Sequence, residues 1–195
     1  MNCNISFGSK INFVDAYRFK NLKHGEYIDW RKNFLNCTDS PAFYTDYIAD
    51  CTAGGIINPH KQCLGFHIRG DYSIKQLPFT ILGTPERALI IGSKNDKFSV
   101  NSMGNFESIK NSLGKKVKHL TYFQEHKPKY SSSDIFYSLP HDTWIINTIY
   151  GHFFLKEVDN IRRLLKVFRK IKIADGDRLF INEKEILPKE CPEIF

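Results

Sequence analysis

One segment constrains the fold of this chain more than any other. Two short apolar runs, Gly54-Gly55-Ile56-Ile57 and Leu64-Gly65-Phe66, flank the polar stretch Asn58-Pro59-His60-Lys61-Gln62. The Asn-Pro step rules out a continuous helix and marks a turn. Short apolar runs on either side of a turn predict a hairpin of buried strands, Gly54 to Asn58 returning as Leu64 to Arg69. Cys51 stands just before this hairpin and His67 near its end. Such a hairpin can bring a thiol beside an imidazole, the minimum apparatus of a sulfur nucleophile.

The remaining pattern supplies a core around the hairpin. Arg87 to Gly92 reads as a buried strand, Asn105 to Leu113 as an amphipathic helix capped by Gly114, and Val117 to Phe123 as a strand. Ala42 to Ile48 alternates and leads as a strand toward Cys51. Residues 5 to 13 read as short strands, and Asp134 to Ser138 and Trp144 to Tyr150 as strands about Pro140. Ala16 to Leu35 has a loose helical pattern divided by Gly25. Glu157 to Ile171 is the clearest helix, with Val158, Ile161, Leu164, Leu165 and Phe168 at core spacing. Asp175-Gly176-Asp177 reads as a hairpin turn between 171–173 and 178–181. The expected class is α+β, a mixed sheet or sandwich core flanked by helices. With 195 residues, 42% of them hydrophobic, one domain over 1–195 is expected.

Composition narrows the partners. No apolar run reaches the roughly 18 residues of a membrane span, so no membrane partner is expected. No secretory signal is apparent over Met1 to Lys20. The cysteines at positions 3, 37, 51, 63 and 191 are odd in number and form no CxxC pair, which suits a reducing compartment. The expected location is the cytoplasm, or a host cell reached through a specialised secretion system. The net charge of +7 gathers in Lys115-Lys116-Val117-Lys118 and Arg162 to Lys170. A basic patch can hold nucleic acid or an acidic protein, but no nucleic-acid motif accompanies it. A solvated helix face is the plain reading, and docking of an acidic partner by a non-enzymatic module is the rival one.

An activated cysteine also needs a group that orients its base. Thr45, six residues before Cys51, can accept the imidazole N–H and fix its tautomer. Backbone amides at Cys51 and a neighbour can form an oxyanion hole. Asp50 works against activation, because a carboxylate beside the thiol raises its pKa unless it points away. Other candidates are weaker. Cys63 shares the parity of His67 and is a rival nucleophile. His141-Asp142 sits in a turn, and Gln62 and Gln124 are polar groups able to hold an amide. His119 and His126 flank a strand and a loop, and Gly92-Ser93-Lys94-Asn95 lacks a phosphate-loop spacing.

Thr45-x5-Cys51 followed by a hairpin to His67 resembles the glutamine deamidases of the chemotaxis-receptor (CheD) and cytotoxic-necrotizing-factor type, with the Burkholderia lethal factor in the same structural class. Phe43-Tyr44-Thr45-Asp46-Tyr47-Ile48-Ala49-Asp50-Cys51 is similar to the aromatic approach in the lethal factor. Leu64-Gly65-Phe66-His67 is similar to the Gly-Gly-x-x-His end of the chemotaxis enzyme. The resemblance covers Phe43 to Phe123. It implies a deamidase-like fold and a Cys51–His67–Thr45 site that hydrolyses glutamine side chains of a protein substrate without a cofactor, in a bacterial effector or toxin serving virulence. Asp50 departs from it, since the family keeps Gly or Ser there. Ala49-Asp50-Cys51 and Phe66-His67-Ile68-Arg69-Gly70 are also similar to the laccase-domain purine nucleoside phosphorylases of the YfiH type. That second resemblance implies zinc on Cys51, His67 and an upstream histidine, for which His24 is the candidate.

Overall fold

The computed structural model describes residues 8–22, 24–74, 84–92, 102–125 and 131–195. The chain is α+β, with two mixed sheets stacked face to face and helices outside them. The first sheet is ordered β14 (Lys184–Ile186), β13 (Arg178–Ile181), β1 (Lys10–Phe13), β10 (Thr143–Tyr150), β9 (Ser131–Ser138), β4 (Ala42–Ile48) and β2 (Glu26–Tyr27), with β11 (Lys156–Glu157) paired beside β10. The second is ordered β12 (Phe168–Lys172), β8 (His119–Glu125), β7 (Arg87–Gly92), β5 (Thr52–Ile57), β6 (Cys63–Ile68) and β3 (Leu35–Thr38).

Apolar residues sort into three layers. Ile11, Phe13, Phe43, Ala53, Leu89, Ile91, Phe123, Ile135 and Trp144 fill the space between the sheets. Phe106, Ile109 and Leu113 of α2 (Ser102–Gly114) cover Ile56, Leu64, Phe66, Ile68 and Ile90 on the outer face of the second sheet. Phe19 of α1 (Ala16–Leu22) covers Phe136 and Ile145 on the outer face of the first. Strands β5 and β6 are therefore buried at every residue, which explains their unbroken apolar character.

Two glycines set how closely the sheets approach. Gly55 pairs with Gly65 across β5 and β6. A Cβ on Gly65 would come within 2.8 Å of the Phe43 ring, and one on Gly55 within 2.8 Å of Trp144. Phe43 of β4 thus lies on a floor without side chains. Two residues further along each strand, Thr45 and His67 are brought together in the same way.

The strand–helix–strand unit β7–α2–β8 forms as expected, with β7 and β8 parallel. Three expectations are corrected. Ala16 to Leu35 is helical only to Leu22, and the chain then adds the short strands β2 and β3 to opposite sheets. The helix expected over Glu157 to Ile171 is α3 (Ile161–Val167), followed by β12. Phe168-Arg169-Lys170-Ile171-Lys172 leaves the helix because β8 offers a free edge, and Phe168 packs 5.4 Å from Phe123 and 5.8 Å from Phe13. Its lysines and arginine then decorate an edge strand, where charge discourages unwanted pairing. Finally, Asp175-Gly176-Asp177 is no hairpin, since β12 and β13 belong to different sheets. Asp177 fastens this crossover, accepting from the Ser9 amide at 2.9 Å, Thr121 at 2.6 Å and Arg87 at 2.8 Å. Residues 5–7 of the first expected strand lie outside the described residues.

Candidate functional site

Thr45, Cys51 and His67 all face the space between the sheets. Thr45 lies on β4 of the first sheet and His67 on β6 of the second. The six-residue interval from Thr45 to Cys51 is the path by which the chain changes sheets. Register along β9 shifts between Thr45, opposite Ile135, and Ile48, opposite Ser133. Tyr47 takes the left-handed conformation in this bulge (φ 59°), and its amide donates to Asp134 at 3.1 Å. The bulge turns the chain out of β4, and Ala49-Asp50-Cys51 cross to β5. Bulges beside reactive centres commonly re-aim a chain in this way.

Across β5 and β6, Ala53 pairs with His67. Cys51 precedes Ala53 by two residues and joins the same inter-sheet cluster. It therefore sits diagonally from His67, where Cα atoms of paired strands are roughly 7–8 Å apart. The two side chains share a face, but no hydrogen bond joins them: Nε2 of His67 has no partner, and the Cys51 sulfur contacts Asp50.

The hydrogen bonds fix the state of the imidazole. The Thr45 hydroxyl donates to the Ile28 carbonyl at 2.9 Å. Its proton is thereby committed, so at 2.7 Å from His67 Nδ1 it accepts the Nδ1–H. The Nε2 atom then carries the free lone pair. It is buried and has no hydrogen-bond partner. An orphaned buried acceptor on a fully enclosed ring costs about 1–3 kcal/mol, and such groups persist where chemistry uses them. Burial holds the His67 pKa down to about 4, against a smaller upward pull from Asp46.

Cys51 is 4% exposed, and its sulfur is 3.7 Å from Asp50 Oδ1. Burial first, and the Asp50 carboxylate second, push its pKa up to about 12, while the Gly70 amide and Arg69 pull the other way. Asp50 does not point away from the thiol. Near neutral pH the pair thus rests as thiol and neutral imidazole. Replacing Asp50 with asparagine removes one upward influence and leaves burial. Asp50→Asn is expected to alkylate several-fold faster at Cys51 with iodoacetamide, followed by peptide mass spectrometry near pH 8. An unchanged rate would show that the carboxylate does not govern the thiol.

The other candidates lie elsewhere. Cys63 faces inward but is four residues along β6 from His67, about 13 Å away, and its sulfur contacts the Ser40 carbonyl at 2.8 Å. Gln62 is held by Asn58 inside the turn. Gln124 follows Phe123, which packs between the sheets, and so turns to the outer face, away from Cys51. His119 begins β8 at the far end, and His141 lies in a 3₁₀ turn beside Lys10 and Arg178. His24 packs on Phe136, 4.9 Å between rings, on the outer face of the first sheet. The zinc set implied by the second resemblance is therefore not brought together. Among the described residues no three His, Cys, Asp or Glu side chains form a group able to hold a metal. Cys3, His126 and Ser93-Lys94-Asn95 lie outside the described residues.

Several participants carry no sequence signal. The Ile28 carbonyl and Gly70 amide are backbone groups. Asn36 pairs across β3 and β6 with His67, and its side chain holds the Asp29 carbonyl. Segment 28–34 is thus tied against the edge of the site, with Trp30 against Tyr47 and Phe34 stacked on Tyr72. A cleft of about 300 Å³ lined by Tyr27, Trp30, Arg31, Tyr44, Asp46 and Tyr47 opens beside it. No family model matches the chain, and no curated protein matches it significantly.

Proposed function

We propose that this chain is a cysteine amidohydrolase acting on glutamine side chains of proteins, with Cys51 as nucleophile, His67 as proton carrier and Thr45 as the residue that positions His67. The observation that carries this reading is the committed Thr45 hydroxyl, which leaves the unpartnered Nε2 lone pair of His67 on the face shared with Cys51. The sequence resemblance to glutamine deamidases rests on these same three residues.

In this mechanism the thiol proton moves to His67 Nε2 as the sulfur attacks the amide carbon. Backbone amides near Cys51 hold the oxyanion. The imidazolium returns its proton to the departing nitrogen, ammonia leaves, and a thioester remains. His67 then takes a proton from water, which attacks the thioester to give glutamate and restore the thiol. No cofactor enters any step. Cys51 and His67 are both buried, so the substrate amide has to reach a site that is closed in this structure. The same reading makes the substrate a protein, in the cytoplasm or in a host cell that receives the chain as an effector. Among the described residues no helix is long and apolar enough to cross a membrane.

Ammonia release and a mass gain of about one dalton per converted glutamine test the reaction. A panel of candidate proteins that yields neither sinks the deamidase reading. Thr45→Val keeps the shape and removes the hydroxyl. It is expected to lower kcat roughly 10- to 100-fold with little change in KM, the scale of losing a hydrogen-bond partner that orients a metal-bound imidazole. Thr45→Ser is expected to restore most of the loss. A rise in KM alongside the fall in kcat, unrescued by serine, would assign Thr45 a packing role only.

A further inference from the structure

The loop joining β10 to β11 carries three consecutive apolar side chains into solvent. Phe153 is 87% exposed, Phe154 81% and Leu155 70%. The two phenylalanines are the most exposed large hydrophobic side chains among the described residues. Runs of this kind on a surface mark an interaction site.

The loop geometry enforces the exposure. Tyr150 pairs with Lys156, which closes the five residues between them. Gly151 has φ 142°, and a Cβ there would lie 2.2 Å from the Phe154 carbonyl oxygen. The chain folds back on this glycine so tightly that the side chains of 153–155 have only the outside to occupy. The result is a protruding apolar prong with a cleft of about 390 Å³ at its base.

Charge surrounds the prong. Lys156 and Lys166 line the same cleft as Phe153 and Phe154. Leu165, also exposed, adjoins Lys166 on α3, with Arg162 one turn before and Arg169 just beyond. Arg163 is tied to Asp159 and Lys170 to Glu107, whereas Lys156, Arg162, Lys166 and Arg169 have no acidic partner among the described residues. The nearby Glu157 carboxylate is occupied by the Ala16 amide at 2.9 Å.

We propose that Phe153-Phe154-Leu155 inserts into the surface of a bilayer rich in anionic lipid, with Lys156, Lys166 and the arginines of 162 and 169 against its headgroups. Three adjacent apolar side chains held out in solvent need an apolar acceptor, and the unpaired cations beside them favour one whose surface is negative. An apolar insertion joined to a basic patch supplies the two signals that stable peripheral attachment needs. The absence of a spanning helix concerns crossing the bilayer, not resting on it.

The prong also has a bearing on the site. Ile48, Ser133 and Thr148 lie in one row across β4, β9 and β10, and Tyr150 ends β10 two residues further on. The prong thus emerges from the end of the sandwich where the chain crosses through Cys51. Resting on the deamidase reading, this orientation points the site at proteins held on the same membrane.

Cosedimentation of the full chain with vesicles tests attachment independently of any catalysis. Binding is expected to phosphatidylcholine mixed with phosphatidylserine, not to phosphatidylcholine alone, and it should weaken as salt is raised. Phe153→Ser with Phe154→Ser is expected to weaken binding at least about tenfold, and Lys156→Glu with Lys166→Glu about 25-fold or more, at about fivefold or more per cation. Unchanged thermal midpoints would confirm that both variants remain folded. A chain that stays in the supernatant with phosphatidylserine vesicles overturns the proposal and assigns the prong to a protein partner. Wild-type binding by the phenylalanine variant, or equal binding to both vesicle types, overturns it as well.

Discussion

Cys51→Ala is expected to silence ammonia release, lowering the rate roughly 10⁶-fold, the scale seen when the nucleophile of a hydrolytic triad is removed. Among the described residues, Cys51 is the one cysteine of the inter-sheet layer diagonal to His67. Cys63 shares the face but contacts the Ser40 carbonyl at the other end of β6, too far to substitute. The alanine variant loses one sulfur from a site that is already closed and should remain folded. Loss of activity in a variant with an unchanged denaturant midpoint therefore reports on chemistry. A variant that kept a tenth of the wild-type rate would remove Cys51 from the mechanism.

The proposed deamidase reaction should show an unusual pH dependence. His67 must be neutral to accept the thiol proton, and its pKa is held down to about 4. The thiol must keep its proton to deliver, and its pKa is pushed up to about 12. The rate kcat/KM then rises as pH climbs through about 4 and stays flat across the neutral range. A limb near the ordinary histidine value of about 6.5 would mean that the resting imidazole is exposed to solvent.

How far the sequence led depended on where each constraint resides. The β5–β6 hairpin and β7–α2–β8 are local, and their apolar runs and turn residues sufficed to locate them. The spacing of Thr45, Cys51 and His67 was visible in the sequence, and the structure brings Thr45 to His67 with Cys51 on the same inter-sheet face. The second half of the helix expected through Ile171 failed for a non-local reason. Leu164, Phe168 and Ile171 satisfy a helical spacing, but the free edge of β8 and the aromatic cluster of Phe13 and Phe123 claim Phe168 for a strand. Asp175-Gly176-Asp177 has the residues of a hairpin turn, and only long-range pairing shows that its two sides enter different sheets. The Ile28 carbonyl that commits the Thr45 hydroxyl is backbone, and no residue type announces it. Asp50 was legible as an adverse charge, and its orientation toward the sulfur emerged only from the structure.

Gly54→Ala is expected to prevent folding. Gly54 sits in β5 between β6 and β7, paired with Phe66 on one side and Ile90 on the other. A Cβ there would lie 2.0 Å from the Leu89 carbonyl oxygen and 3.0 Å from the Ile90 Cα. Those neighbours are backbone, so relief requires β7 to separate from β5 rather than a side chain to rotate. β5 cannot drift, because Ile56 packs under α2 and Ala53 and Ile57 pack between the sheets. The cost belongs with the exceptional substitutions above about 4 kcal/mol, a large share of the roughly 5–15 kcal/mol that holds a domain together. Gly104→Ala is the matched control, since a Cβ on Gly104 in α2 meets nothing within 4 Å. It should stabilise the chain by up to about 1 kcal/mol through helix propensity. Urea denaturation of the two variants separates the cases. A Gly54→Ala protein with a native midpoint would contradict the close β5–β7 pairing that buries Gly54 against the Leu89 carbonyl.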